Sequence, residues 1–286
     1  MRELVFALLR AVVILYPEFG ETPLGTGFLV GVPVVSSEGL ERQVPVLITA
    51  RHVTGRHLSI RVRFREGTTY ATHQRLDLEE ARKQGDYWQH PDPGADVLAV
   101  RLPLPATVPL DLIPMGTLGT DLTLQELDVA PGDRVLLPGL LQWKANGPNL
   151  VVVREGTVAA LPDVGLPLHR PLDPEGGDTL QRVYLVNADV ILGMSGSPVC
   201  LSPVPRLRGN AFELGGRLTI LGLAQGFRLA PGRRVRVPGS TGAGSEVFDE
   251  NSGVGVVIPA SRILEVLARP EVRERLQALL AEPAAR

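Results

Sequence analysis

The chain has 286 residues, 44% of them hydrophobic, a net charge of −2 and one cysteine. That length supports one large domain or two small ones with real cores. The charge excludes the electrostatic footprint of a nucleic-acid binder, and a lone cysteine excludes an intrachain disulfide.

Met1–Tyr16 has the apolar run of a secretory signal. Arg10 interrupts that run, Glu3 sits in its basic region, and no small-x-small cleavage site follows. The segment therefore reads as a short helix followed by a first strand at Ala11–Tyr16. No stretch approaches the roughly 18 to 20 apolar residues of a membrane span. With one cysteine, a reducing compartment is favoured, so a cytoplasmic location and no membrane partner are expected. Gly25–Val35 reads as a buried strand, and Val44–Ala50 as its partner across a polar turn. Leu58–Phe64 alternates apolar and basic residues, as a half-exposed strand does. Thr68–His73 is a candidate further strand, and Asp77–Gln84 suits a short helix or loop. Tyr87–Pro93 leads to Asp96 and the strand Val97–Leu102.

Pro103, Pro105, Pro109, Pro114 and Pro131 mark a connecting stretch. Strands are then expected at Arg134–Leu137, Leu150–Leu161, Arg182–Ile191, Pro198–Leu201, Arg217–Leu229 and Val254–Ile258. Gly156 marks a bulge or bend in the second of these. Val235–Gly253 contains Gly239–Ser245 and reads as a flexible surface loop. Ile263, Leu264, Val266 and Leu267 give Ala260–Ala268 a helical apolar pattern, and Pro270 opens a second helix, Glu271–Ala281.

The chemistry centres on Asp189–Val199. Gly193 precedes Ser195 by two positions and Gly196 follows it, the composition of a tight loop that presents a hydroxyl. The N–H groups of Gly193 and Ser195 then suit the oxyanion of an acyl-transfer transition state. Alone, the pattern fits an ordinary Gly/Ser turn equally well. Upstream, Val46–Val53 carries His52 at the end of an apolar run, and Gly94–Val100 carries Asp96 at the start of one.

Five motifs therefore stand in order: Gly25-Thr26-Gly27-Phe28, Thr49-Ala50-Arg51-His52-Val53, Asp96-Val97-Leu98-Ala99-Val100, Gly193-Met194-Ser195-Gly196-Ser197-Pro198 and Gly253–Pro259. Together the sequence resembles the trypsin-like (chymotrypsin-fold) serine peptidases, especially bacterial ones related to HtrA-type proteases, over residues 11–268. The resemblance implies an all-β fold of two barrels of about six strands each. The first barrel takes residues 11–102, a crossover 103–131 and the second barrel 132–258. The peptidase domain runs over 1–268, with a helical end at 259–286 and no PDZ domain. The resemblance makes Ser195 the nucleophile, His52 the general base and Asp96 the group that orients it. It implies a serine endopeptidase acting on a peptide or protein through an acyl-enzyme, with Gly193 and Ser195 as the oxyanion hole. The alternative is a catalytically silent module of the same fold that binds a peptide or partner.

Other residues compete for these roles. His57 stands beside Arg56, His90 beside Trp88 suits a surface or aromatic contact, and His169 lies in a proline-flanked loop. Only His52 sits in Thr-Ala-x-His. Asp92, between Pro91 and Pro93, suits a turn, whereas Asp96 enters an apolar strand and needs a partner. Asp189 lies six before Ser195, where the resemblance places a pocket floor that selects Arg or Lys. Its alternation with Val186, Ala188 and Val190 equally suits a strand face turned to solvent. Gln225 and Gly226 match the strand that pairs with substrate backbone, and Ala224 lacks a hydroxyl that relatives often aim at the aspartate. Met194 replaces the aspartate of trypsins activated by cleavage, so no activating cut is expected. Cys200 reads as core filler. No Cys/His cluster has metal-ligand spacing and no Walker-type loop occurs, so no metal or other cofactor is expected.

Overall fold

The computed structural model describes residues 2–36, 39–65, 73–104, 111–142, 149–168, 178–202, 206–208, 211–213, 217–235 and 246–279. Helix α1 (Arg2–Ala11) runs directly into β1 (Val12–Pro17), which is buried from Val12 to Tyr16. Strands β2 (Gly25–Val35) and β3 (Glu41–Ala50) follow, then the single turn α2 (Arg51–Thr54), β4 (Ser59–Arg63) and β5 (His73–Asp77). Helix α3 (Leu78–Lys83), β6 (Tyr87–Gln89), β7 (Val97–Arg101) and the short β8 (Ile113–Pro114) complete this half. The sheet order is β5-β4-β1-β2-β3-β7-β6, with β8 parallel to β2.

Among the described residues this sheet does not close, which differs from the expectation of a sealed first barrel: β5 and β6 are its two ends. The reason is local. Asp77 ends β5 by accepting the Glu80 N–H and capping α3, so the chain leaves the sheet as a helix. When it returns, β6 is three residues long and pairs only with β7. The strand expected at Thr68–His73 lies outside the described residues except for His73, which opens β5.

The second half begins with α4 (Asp121–Glu126), capped by the Thr120 hydroxyl. It continues through β9 (Arg134–Leu141), β10 (Leu150–Ala160), β11 (Leu166–Leu168), β12 (Thr179–Gln181), β13 (Tyr184–Asn187), β14 (Pro198–Leu201), β15 (Arg206–Arg208) and β16 (Ala211–Glu213). Two long strands end it, β17 (Thr219–Val235) and β18 (Glu246–Pro259). Six of these strands form a closed barrel in the order β10-β13-β18-β17-β14-β9. The fold is thus all-β, with one closed barrel and, among the described residues, one open sheet. Within the loop expected over Val235–Gly253, the described residues are strand, because β17 and β18 stay paired as far as Val235 and Glu246; residues 236–245 lie outside the described residues. Within Arg182–Ile191 only Tyr184–Asn187 is strand. The ribbon of β11 and β12 was not signalled by the sequence.

Strand alternation joins the two halves. Val199, Leu201, Leu221, Ala224 and Val257 belong to the barrel's interior cluster. Their neighbours Cys200, Ile220, Leu223 and Ile258 pack into the same cluster as the first sheet. Helices α5 (Ala260–Leu267) and α6 (Pro270–Ala278) bury Ile263, Val266, Leu267, Val272 and Leu276 in that cluster. Asp86, almost fully buried, fastens α6 by accepting from Arg275 Nε at 2.7 Å and from Arg101 Nη1 at 3.2 Å. No helix among the described residues is long and apolar enough to cross a membrane.

Candidate active site

The first sheet supplies His52 and Asp96. β3 ends at Ala50 and the chain turns at once into α2, which carries His52. β7 pairs with β3 through Ala50 and Val97, and this register sets Asp96 opposite the start of α2. The Arg51 N–H donates to the Asp96 carbonyl at 3.2 Å. The Asp96 carboxylate then makes two contacts with one residue. Its Oδ1 accepts the His52 backbone N–H at 2.9 Å, and its Oδ2 pairs with His52 Nδ1. Asp96 is 3% exposed and the His52 ring 21% exposed. A carboxylate only accepts, so Nδ1 carries a proton, and in the neutral imidazole Nε2 then keeps its lone pair. Asp92 instead accepts the Gly94 N–H within its own turn at 2.8 Å.

His90, expected at the surface or against an aromatic ring, is held by a carboxylate instead. It is buried, its Nε2 is 2.8 Å from Glu265 Oε2 on α5, and its Nδ1 accepts the Asp92 N–H at 3.0 Å. Burial alone raises the Glu265 carboxyl, but hydrogen bonds from His90 and Arg262 outweigh it and hold the group below the usual range. His57 is half-buried and His73 exposed; His169 lies outside the described residues.

The barrel supplies Ser195, on the turn between β13 and β14. The Met194 N–H donates to the Ile191 carbonyl at 3.1 Å, and Gly193 has φ +94°. A four-residue turn with positive φ at its third position is type II. In that turn the Leu192–Gly193 peptide has the opposite face from a type I turn. The N–H groups of Gly193 and Ser195 have no acceptor among the described residues. Gly196 has φ +86°, and a β-carbon there would overlap the Thr26 carbonyl oxygen and the Thr49 hydroxyl, so no other residue fits. Met194 is fully buried in the barrel's interior cluster, beneath the turn. The Ser195 hydroxyl donates to the Gln225 carbonyl at 2.9 Å and makes no hydrogen bond to His52.

Gln225 and Gly226 lie on β17 beside this loop. The Gly196 N–H donates to the Ala224 carbonyl at 2.7 Å, and the Ala224 N–H donates to the Ser197 carbonyl at 2.8 Å. These two bonds fix β17 against the nucleophile loop. The Gln225 side chain turns to Gln181 on β12, at 3.5 Å. The structure does not bring Asp189 to the site. Its side chain is 75% exposed and its nearest cation is Arg154, at 3.6 Å. Val186, Ala188 and Val190 are buried while Asn187 and Asp189 face solvent, which matches the solvent-facing strand residue that the alternation allowed. Cys200 is fully buried, and burial pushes its thiol up, which leaves it without thiolate character. No group of three or more His, Cys, Asp or Glu side chains among the described residues could hold a metal ion.

Thr26 is the residue whose part the sequence hid. It was visible only as a letter of Gly-Thr-Gly-Phe, yet it touches the nucleophile loop twice. The Thr26 N–H donates to the Ser195 carbonyl at 2.9 Å, and its hydroxyl donates to the Gly193 carbonyl at 2.7 Å. A small hydroxyl residue between two glycines, at the start of a buried strand, was the available signal.

The family model described as trypsin-like peptidase domain matches residues 25–202. Comparison with curated proteins finds no match. Among solved structures, the MamO protease domain from Magnetospirillum magneticum is 17% identical with a TM-score of 0.51, over 91% of this chain and 97% of that one. The HtrA-type protease AlgW, solved with a tripeptide, is 18% identical with a TM-score of 0.52, over 96% of this chain and 63% of AlgW. The serine endoprotease from Yersinia pestis is 16% identical with a TM-score of 0.50, over 96% of this chain and 66% of that one. At these identities the likeness is one of fold.

Proposed function

This chain belongs to the family of trypsin-like peptidase domains, and from that premise we propose that it is a serine endopeptidase working through an acyl-enzyme. The observation that carries the reading is the two-point contact of Asp96 with His52. It fixes both the orientation and the tautomer of the imidazole, which is what the aspartate of a triad must do. In the proposed reaction, Ser195 Oγ bonds to the scissile carbonyl carbon as His52 Nε2 takes its proton. The oxyanion is met by the N–H groups of Gly193 and Ser195. His52 then protonates the leaving amine, and water resolves the acyl-enzyme by the same route. The peptide backbone pairs with Gln225 and Gly226 on β17. A substrate N–H that takes the Gln225 carbonyl displaces the Ser195 hydroxyl from it and frees that hydroxyl for His52.

The peptide complexes of AlgW favour a peptide or protein as the partner here, with no nucleic acid and no membrane. A cytoplasmic location and a peptidase unit over residues 1–268 belong to the same proposal.

One observation favours a second reading, a silent peptide-binding module. The Ser195 hydroxyl is engaged by Gln225 rather than by His52. Apo geometry of catalytic hydrogen bonds is often loose, so labelling decides between the two. Intact protein beginning at Met1 is expected to react with a fluorophosphonate at Ser195, read as one mass adduct, without prior cleavage. A chain that stays unlabelled, yet binds peptide, belongs to the silent class. Labelling only of a species trimmed at the amino terminus refutes the expectation that no activating cut is needed.

A further inference from the structure

Resting on the peptidase reading, we infer that Thr26 is a positioning residue that fixes the oxyanion donors from the opposite sheet. Thr26 lies on β2 and is fully buried. Each of its polar atoms is engaged at this corner. The hydroxyl donates to the Gly193 carbonyl at 2.7 Å and accepts the Leu140 N–H of β9 at 3.1 Å. The N–H donates to the Ser195 carbonyl at 2.9 Å. The carbonyl accepts the Thr49 hydroxyl at 2.7 Å.

These bonds act on the two donor peptides. The Ser195 N–H belongs to the Met194–Ser195 peptide. Thr26 holds the carbonyl of the residue before that peptide pair, Gly193, and the carbonyl of Ser195 after it, so this donor is restrained from both ends. The Gly193 N–H belongs to the Leu192–Gly193 peptide, which lies between the turn bond from Met194 to Ile191 and the held Gly193 carbonyl. Rotation of that peptide converts the type II turn to type I and points the N–H the other way. Leu140 sets the sense of the contact. A hydroxyl that accepts from the Leu140 N–H turns its own hydrogen toward Gly193. Valine matches threonine in shape, so a role in packing alone is met by valine, whereas these two bonds need the oxygen.

The test compares Thr26→Val and Thr26→Ser with wild type in the full chain. The readout is the second-order rate of Ser195 modification by a fluorophosphonate, whose phosphoryl oxygen occupies the oxyanion position. For Thr26→Val the rate is expected to fall about 10- to 100-fold, somewhat less than the loss of one oxyanion donor. The midpoint of its pH profile is expected to stay where wild type has it, since neither His52 nor Asp96 is bonded to Thr26. Thr26→Ser keeps the oxygen and is expected to recover the rate. A folded Thr26→Val that labels at the wild-type rate overturns the inference. So does a loss that Thr26→Ser shares equally, or a moved pH midpoint, which signals a disturbed His52. Where Thr26→Val does not fold, Thr26→Ala removes the same oxygen and carries the same expectations. Wild-type protein that fails to label sinks the peptidase reading and the inference with it, which distinguishes that failure from a failure of Thr26 alone.

Discussion

His52 and Asp96 both come from the first sheet and meet through two contacts, whereas Ser195 comes from the barrel and its hydroxyl meets another barrel residue, Gln225. The first pair is set by the register of β3 against β7 and needs nothing from the other half. The bond between nucleophile and base must instead cross from one sheet to the other. Its length depends on how two packed bodies sit, which the few hydrogen bonds from Thr26 and side-chain packing fix less tightly than a continuous backbone ladder does. The difference teaches that the candidate site has an inner part determined by one sheet and an outer part determined by assembly. In the proposed reaction, substrate binding acts on the outer part.

The largest expected effects fall on the residues themselves. Ser195→Ala and His52→Ala are each expected to remove about 10⁶-fold in turnover, as members of one unit. Asp96→Asn, which permits the wrong tautomer, is expected to cost about 10⁴-fold. Normal activity in Ser195→Ala breaks the comparison at its root.

Gly196→Ala tests the outer part alone. The added methyl meets the Thr26 carbonyl and the Thr49 hydroxyl, so the loop must move. Displacement on the order of 1 Å is expected to cost about 100-fold in labelling rate. Peptide binding that survives together with full labelling would show the loop to be less constrained than its contacts imply.

Asp86→Asn reaches only the first sheet and its helices. It leaves Arg101 and Arg275 without their buried carboxylate. Breaking a fully buried pair costs about 3–5 kcal/mol. Because both arginines are partly exposed, about 1–3 kcal/mol is expected in urea unfolding. The labelling rate per folded molecule should not change, and a fall there would mean that α6 reaches the site. The smallest effect belongs to Asp189→Ser, a change at a side chain that is 75% exposed and pairs with Arg154. A peptide-library profile should be the same before and after. A preference for Arg or Lys that vanishes with the substitution would restore Asp189 to a pocket.

The sequence made the inner part readable because short motifs at strand ends carry it. Thr-Ala-x-His and the aspartate before Val97–Val100 name their residues directly. The nucleophile loop was readable for a similar reason: its glycines answer a positive φ. For Asp189 the sequence offered two readings: counting back from Ser195 assumes an unbroken alignment, whereas the alternation around it matches the observed burial and exposure. His90 was missed because its partner, Glu265, lies 175 positions away. The length of β17 and β18 was missed because their pairing is made by backbone, which a Gly/Ser-rich composition does not reveal. The open first sheet follows from Asp77 capping α3, a local signal with a topological outcome.

The bond from Thr26 to Gly193 spans 167 positions, and the barrel that supports Gly193 closes only when β18 joins β13 and β17. Contacts of such separation form late, because the chain entropy lost in closing long loops precedes their reward. On a ribosome, the stretch carrying His52 and Asp96 is made long before Glu246–Pro259. His52 and Asp96 are therefore already present in the nascent chain while the turn that carries Gly193 and Ser195 still waits for the strand that closes its barrel.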